Sequence, residues 1–270
     1  MDYGTVSAGG FAGLIFMLVW GIALPVVAAI IWRIKTKANM MPLLVGAIIF
    51  PVFALGLESI PKYFLLGNGS GLAQYITTHL WSYALVGAGL AGIFEETGRW
   101  VAFRFILKKH TDKKTAITYG IGHGGIEAVI LLSVGAFQYI TYAMMINQGV
   151  FGTIVEQVRM ASPDQVEAVE AIAVALTSLT FGNSLTGCVE RLFAVTFHVS
   201  ASVLVFKAVR EKRWYYFVLA VVLHGLVDVF AAMYQFGVIT SIWVVEGLIG
   251  VFSIGVGILA CKVYKGMKAE

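Results

Sequence analysis

The sequence predicts an all-α fold, a polytopic transmembrane helical bundle forming one integral-membrane domain over residues 1–270. Three observations predict it. Of the 270 residues, 59% are hydrophobic and only 13% are charged, whereas ordinary soluble chains carry roughly 25% charged residues. Mean hydropathy is +0.85. Apolar stretches of about 20 residues, each enough to cross the hydrocarbon core of a bilayer, recur along the whole chain. No stretch is left that could build a soluble domain. The two cysteines, Cys188 and Cys261, are too few and too scattered for a disulfide framework or a cysteine-based zinc module.

About seven spans are expected in order, at about 10–32, 42–64, 80–107, 116–146, 187–208, 214–236 and 241–263. The first lacks a preceding basic region and carries Asp2 instead, which argues against a cleaved signal peptide. Charges then set the orientation. Arg33, Lys35 and Lys37 follow the first span, and Arg104, Lys108, Lys109, Lys113 and Lys114 flank the link between the third and fourth. Lys207, Arg210, Lys212 and Arg213 lie between the fifth and sixth; Lys262, Lys265 and Lys268 close the chain. With seven spans all fifteen share one side, opposite Lys62 and Arg159. The expected topology is therefore N-terminus outside and C-terminus cytosolic. The net charge of +4 belongs to this topology and not to nucleic-acid binding.

The longest connection, roughly 147–186, is placed outside. Ser162-Pro163-Asp164 starts a helix there, with serine before a proline in the first turn. The stretch from Val166 to Leu179 is either an interfacial or re-entrant helix or an ordinary amphipathic one. Gly67-Asn68-Gly69-Ser70-Gly71 reads as a flexible turn. The pairs Gly87-x-Gly89 and Gly120-x-Gly122 read as points of close helix approach.

Charges within a bilayer are costly and mark functional sites. Glu95, Glu96 and Arg99 lie inside the third span; His123 and Glu127, His198, and His224 and Asp228 lie inside the fourth, fifth and sixth. Counted from the cytosolic ends, all of them fall roughly 12–21 Å deep at 1.5 Å per residue. Four independent counts give one layer. Residues four apart share a helix face, so Glu95/Arg99, His123/Glu127 and His224/Asp228 are same-side pairs. Glu96 is turned about 100° from Glu95. Glu190 and Arg191 share the side of His198, nearer the outer end.

Imidazoles and glutamates at one depth suit Zn²⁺ with an open coordination position. Glu95, His123, His198 and His224 are the candidate ligands, with Glu127 and Glu190 as supports that orient them. A carboxylate beside such a centre takes a proton from an attacking water. Arg99 offsets the paired charges of Glu95 and Glu96. The natural scissile bond for such a centre is a peptide bond in or near the bilayer.

Taken together, Phe94-Glu95-Glu96-Thr97-Gly98-Arg99-Trp100, His123-Gly124-Gly125-Ile126-Glu127 and His224-Gly225-Leu226-Val227-Asp228 resemble the CAAX-prenyl-endopeptidase/PrsW superfamily, and most nearly its bacterial YhfC branch. The resemblance implies an intramembrane metalloprotease of the bacterial plasma membrane. It implies catalytic roles for Glu95, Glu96, Arg99, His123, His224 and Asp228. Glu95 would activate water with the help of His123, and His224 with Asp228 would bind metal or stabilise the oxyanion. Two residues separate the glutamate pair from Arg99, as in the PrsW-like branch, where the CAAX enzymes have three. His198 and Glu190 have no counterpart in the minimal CAAX motif. Zn²⁺ is the implied cofactor, with a metal-free glutamate/histidine mechanism as the alternative. The implied partners are membrane lipids and a membrane-embedded or membrane-anchored protein or peptide substrate.

Two other functions use the same residues: a proton-coupled or metal-ion transporter, and a non-catalytic membrane scaffold. Transporters usually show paired internal repeats, which the sequence does not. His79 and His110 read as surface residues, and Glu58 and Glu246 as single acids within spans.

Overall fold

A computed structural model describes residues 3–267, so that Asp2 and Lys268, which entered the charge reading, lie outside the described residues. The described chain is helical and contains no strand. Its helices are α1 (Ala8–Thr36), α2 (Met41–Gly67), α3 (Gly71–Thr78), α4 (Leu80–Val101), α5 (Lys114–Asn147), α6 (Gly152–Ala161), α7 (Val166–Thr177), α8 (Phe181–Arg210), α9 (Tyr215–Gln235) and α10 (Ile242–Lys265). Six of them (α1, α2, α5, α8, α9 and α10) are long and apolar enough to cross a membrane. With 22 residues α4 has the length as well, but Glu95, Glu96 and Arg99 lower its apolar character.

The expected spans match these helices closely, and the helix at Val166–Thr177 forms after a tight turn at Pro163–Gln165. One reading needs correction. The glycine-rich turn is shorter than expected, because Ser70 accepts a hydrogen bond from the Ala73 amide and starts α3. A serine at this position satisfies an amide that has no partner within the helix.

Several helices loosen into wide π-type turns. Two lie in α2, at Pro51–Leu57 and Tyr63–Gly67; a third, Ala102–Ile106, extends α4; a fourth, Val129–Val134, interrupts α5. Pro51 removes an amide donor, which is a sufficient cause for the first. Basic side chains close helix ends. Arg33 donates to the carbonyls of Lys37 (2.9 Å) and Ala38 at the end of α1. Arg210 donates to the carbonyls of Leu107 (2.7 Å), Lys108 (3.0 Å) and His110 (2.9 Å) beyond α4. Both residues thus satisfy carbonyls that would otherwise lack donors.

The chain forms two compact units, whose boundaries fall within α1, α5 and α8. One comprises residues 1–23 and 128–189. Its core joins Val6, Leu14, Ala143, Ile146, Phe151, Val155, Ala173 and Leu176. The apolar face of α7 is therefore packed into that core through Ala173 and Leu176. Asn147 pins the chain ahead of α1, accepting from the Val6 amide (2.7 Å) and donating to its carbonyl (3.1 Å).

The other unit comprises residues 24–127 and 190–270 and holds the charged residues that the sequence singled out. One of its cores joins Val45, Ile49, Phe103, Tyr119, Leu204, Phe206 and Ala220; another joins Phe197, Ala201, Val227, Val245 and Ile249. Glycines allow its helices to close. A Cβ on Gly92 of α4 would stand 2.7 Å from the Val221 carbonyl of α9. One on Gly122 of α5 would stand 2.0 Å from the Leu43 carbonyl of α2. The expectation for the glycine pairs therefore divides. Gly120 also meets α8, at Val199, whereas Gly87 and Gly89 face open space.

Candidate active site

Tight closure at Gly92 brings α4 against α9, so that Glu95 and Glu96, one turn further on, meet His224. Gly120 and Gly124 do the same for α5 and α8: Cβ atoms there would stand 2.6 Å from Val199 Cα and 3.0 Å from His198 Cβ. Backbone closure of this kind brings His123 and His198 to a ring separation of 5.2 Å, with His198 and His224 at 5.5 Å. Three imidazoles from three helices gather around one carboxylate.

That carboxylate is Glu95. Its Oε2 lies 2.9 Å from His123 Nε2 and 3.9 Å from His198 Nδ1, and its Oε1 lies 3.8 Å from His224 Nε2. Each imidazole thus turns one nitrogen toward Glu95 and the other toward an anchor. For His224 the anchor is Glu96, whose Oε1 is 2.7 Å from Nδ1. For His198 it is Glu127, whose Oε2 touches Nε2 without the alignment of an ideal hydrogen bond. Tyr119 Oη approaches His123 Nδ1 at 3.5 Å, and Phe50 meets the same ring edge-on.

Arg99 has no exposed surface. It donates through Nη1 to Glu96 and through Nη2 to His198 Nδ1 (2.5 Å), and Nη2 stands 3.7 Å from Glu95. The two glutamates therefore divide their tasks. Glu96 is enclosed and held by Arg99 and His224, while Glu95 retains 7% of its surface and faces the imidazoles. Asp228, with 39% of its side chain exposed, lies 3.9 Å from His224 Nε2 at the rim of the group.

The expected same-helix pairs separate into two kinds. Glu95 and Arg99, and His224 and Asp228, do approach each other. Glu127, by contrast, meets His198 and also Arg191, whose Nη1 lies 2.7 Å from Glu127 Oε1. Arg191 grips both oxygens of Glu190 with Nε and Nη2. Elsewhere Glu58 pairs with Lys62 at 2.7 Å, and His79 is exposed. Tyr119 and Phe50 escaped the sequence reading. Tyr119 precedes His123 by four residues, a spacing that could have found it; Phe50 comes from another helix and left no such signal.

Glu95, His123 and His198 offer ligand atoms all within 4.8 Å of one another. In a tetrahedral zinc site with ligand distances near 2.0–2.1 Å, neighbouring ligand atoms stand about 3.3 Å apart. The separations of 2.9 and 3.9 Å measured from Glu95 Oε2 bracket that spacing. Charge points the same way. Counted with ionised carboxylates and neutral imidazoles, Glu95, Glu96, Glu127 and Glu190 exceed Arg99 and Arg191 by two negative charges in a largely buried group. Uncompensated charge is costly at low dielectric, and a single divalent cation would cancel it. The donor set fits a metal ion once Arg99 Nη2 yields the His198 Nδ1 lone pair that it occupies in this arrangement.

A relative in Bacillus subtilis (strain 168), the uncharacterized membrane protein YhfC, is 31% identical over 245 residues, covering 90% of each chain. No solved structure matches the chain. The family model described as YhfC intramembrane metalloprotease matches residues 20–249, which covers the whole Glu95–His224 group. With its apolar helices and this relative, the chain is an integral membrane protein and belongs to the YhfC intramembrane metalloprotease family.

Proposed function

We propose that this protein is an intramembrane endopeptidase of the bacterial plasma membrane, hydrolysing a peptide bond of a membrane-embedded or membrane-anchored substrate. The observation that carries the reading is the convergence of three imidazole nitrogens on the single carboxylate of Glu95. Family membership supports the reaction class. The span count of seven and the cytosolic C-terminus belong to this proposal, with the reaction centre below the inner leaflet's surface.

Glu95, His123 and His198 would hold the ion, with His224 Nε2 as a further donor. Bound Zn²⁺ supplies a Lewis acid that polarises a carbonyl and acidifies a coordinated water. The chain's own residues handle the protons. Oε2 of Glu95 faces His123 and His198, and Oε1 faces His224, so the carboxylate addresses both sides of the centre. Glu95 takes a proton from the attacking water as oxygen bonds to the scissile carbon. Collapse of the tetrahedral adduct breaks the C–N bond, and the same proton passes to the leaving amine. Glu96 keeps His224 turned toward the reacting atoms, and Arg99 balances the negative charge nearby.

The test is quantitative analysis of membrane-protein termini in cells lacking the protein, expressing it, or expressing Glu95→Gln. The expected result is one or more membrane proteins that are cleaved only with the wild type. Identical termini in all three, together with ion or proton flux in reconstituted vesicles, would replace the peptidase by a transporter.

A further inference from the structure

Arg191 lies two helical turns before His198 on α8 and contacts none of the three imidazoles in the reaction centre. Each of its three nitrogens meets a carboxylate oxygen. Nε and Nη2 hold the two oxygens of Glu190, which fixes the plane of the guanidinium and leaves Nη1 aimed at Glu127 Oε1, 2.7 Å away. Glu127 Oε2 is pressed against His198 Nε2. We propose that Arg191 is a positioning residue, acting through Glu127 to hold the His198 ring with its unprotonated Nδ1 on the side of Arg99 and Glu95. This inference rests on the reading of Glu95 and its imidazoles as the reaction centre.

Two independent contacts define the state of His198. A guanidinium has donors only, so the Arg99 Nη2 contact at 2.5 Å makes Nδ1 an acceptor. On the other side, two lone pairs pressed together would repel, so Nε2 carries the hydrogen that faces Glu127. His198 is 4% exposed, which leaves little water to hold the ring if Glu127 turned away. Without Arg191, Glu127 loses its fixed partner on the far side. A simple fastening of α5 to α8 is the alternative role. The Gly120 and Gly124 contacts already bring these helices together, however, and buried ion pairs are poor sources of net stability. Orientation of a histidine by an outer carboxylate explains the arrangement better.

The experiment uses full-length, chelator-stripped protein in detergent with ¹⁵N-labelled histidine. Long-range ¹⁵N–¹H correlation reports which ring nitrogen carries hydrogen. There are five histidines, and His198→Gln assigns the signal. His198 is expected as the Nε2–H tautomer throughout, because Arg99 holds Nδ1. Its Nε2 hydrogen is expected downfield and slow to exchange in the wild type, upfield and faster to exchange in Arg191→Leu, and returned toward the wild-type signal in Arg191→Lys. Zinc titration of the same samples is expected to show affinity about 10- to 100-fold weaker in Arg191→Leu, largely restored by lysine. If Arg191→Leu fails to fold, Arg191→Leu/Glu190→Gln removes the bidentate pair while leaving Glu127 against His198, and carries the same test. An unchanged His198 Nε2 hydrogen signal and zinc affinity in the folded variant overturn the proposal, even if thermal stability falls. Neither measurement depends on proteolysis. Full cleavage by Glu95→Gln would overturn the peptidase reading separately.

Discussion

Glu127, four residues after His123 on α5, has its carboxylate against His198 and Arg191 of α8. The consequence is that, beside the Glu95–His123 contact, the centre holds two more carboxylate–imidazole pairs bridging different helices, Glu127 with His198 and Glu96 with His224. Both pairs flank Glu95, whose nearest basic atom is His123 Nε2.

If Glu95 is the base, Glu95→Gln should lower the rate of substrate cleavage by about 10²–10⁴-fold. Folding of the metal-free protein should survive, because in that state the change relieves surplus negative charge in the group. Thermal unfolding in detergent measures the second point and a cleavage assay the first. Wild-type cleavage by this variant would remove Glu95 from the mechanism.

Glu96→Gln should behave differently. Arg99 is fully enclosed and would lose its closest charge partner, a change that costs about 3 kcal/mol when a buried pair is broken. A clearly lower unfolding midpoint is expected for Glu96→Gln than for Glu95→Gln. Equal midpoints would mean that the two glutamates do not divide their tasks as the geometry indicates.

Metal removal should abolish cleavage and lower the unfolding midpoint, since a ligand bound only to the folded state stabilises it. Zn²⁺ should restore both, and His198→Ala should prevent the recovery. Elemental analysis giving no metal, with activity untouched by chelation, would favour the metal-free glutamate/histidine mechanism.

Gly122→Ala should destabilise the fold by about 1–3 kcal/mol, the usual range for overpacking, because its Cβ would meet the Leu43 carbonyl at 2.0 Å. Gly87→Ala is the control, having open space around it. Equal unfolding midpoints in the two variants would contradict the close approach of α2 and α5.

The sequence by itself determined the all-α membrane class, the positions of the long helices to within a few residues, and the charged and imidazole members of the polar group, though not Tyr119. Each rests on local physics. Apolar length sets a span, and a charge inside one is costly enough to be informative wherever it occurs. Partner choice was another matter. Spacing of four places His123 and Glu127 on one face, yet cannot say which helix lies opposite that face. Packing decided it: Gly120 and Gly124 let α8 close on α5, which brings His198 to Glu127, and Gly92 lets α9 close on α4, which brings His224 to Glu96. A carboxylate pairs with whichever donor the backbone brings within reach, and that distance is set by residues far apart in the chain.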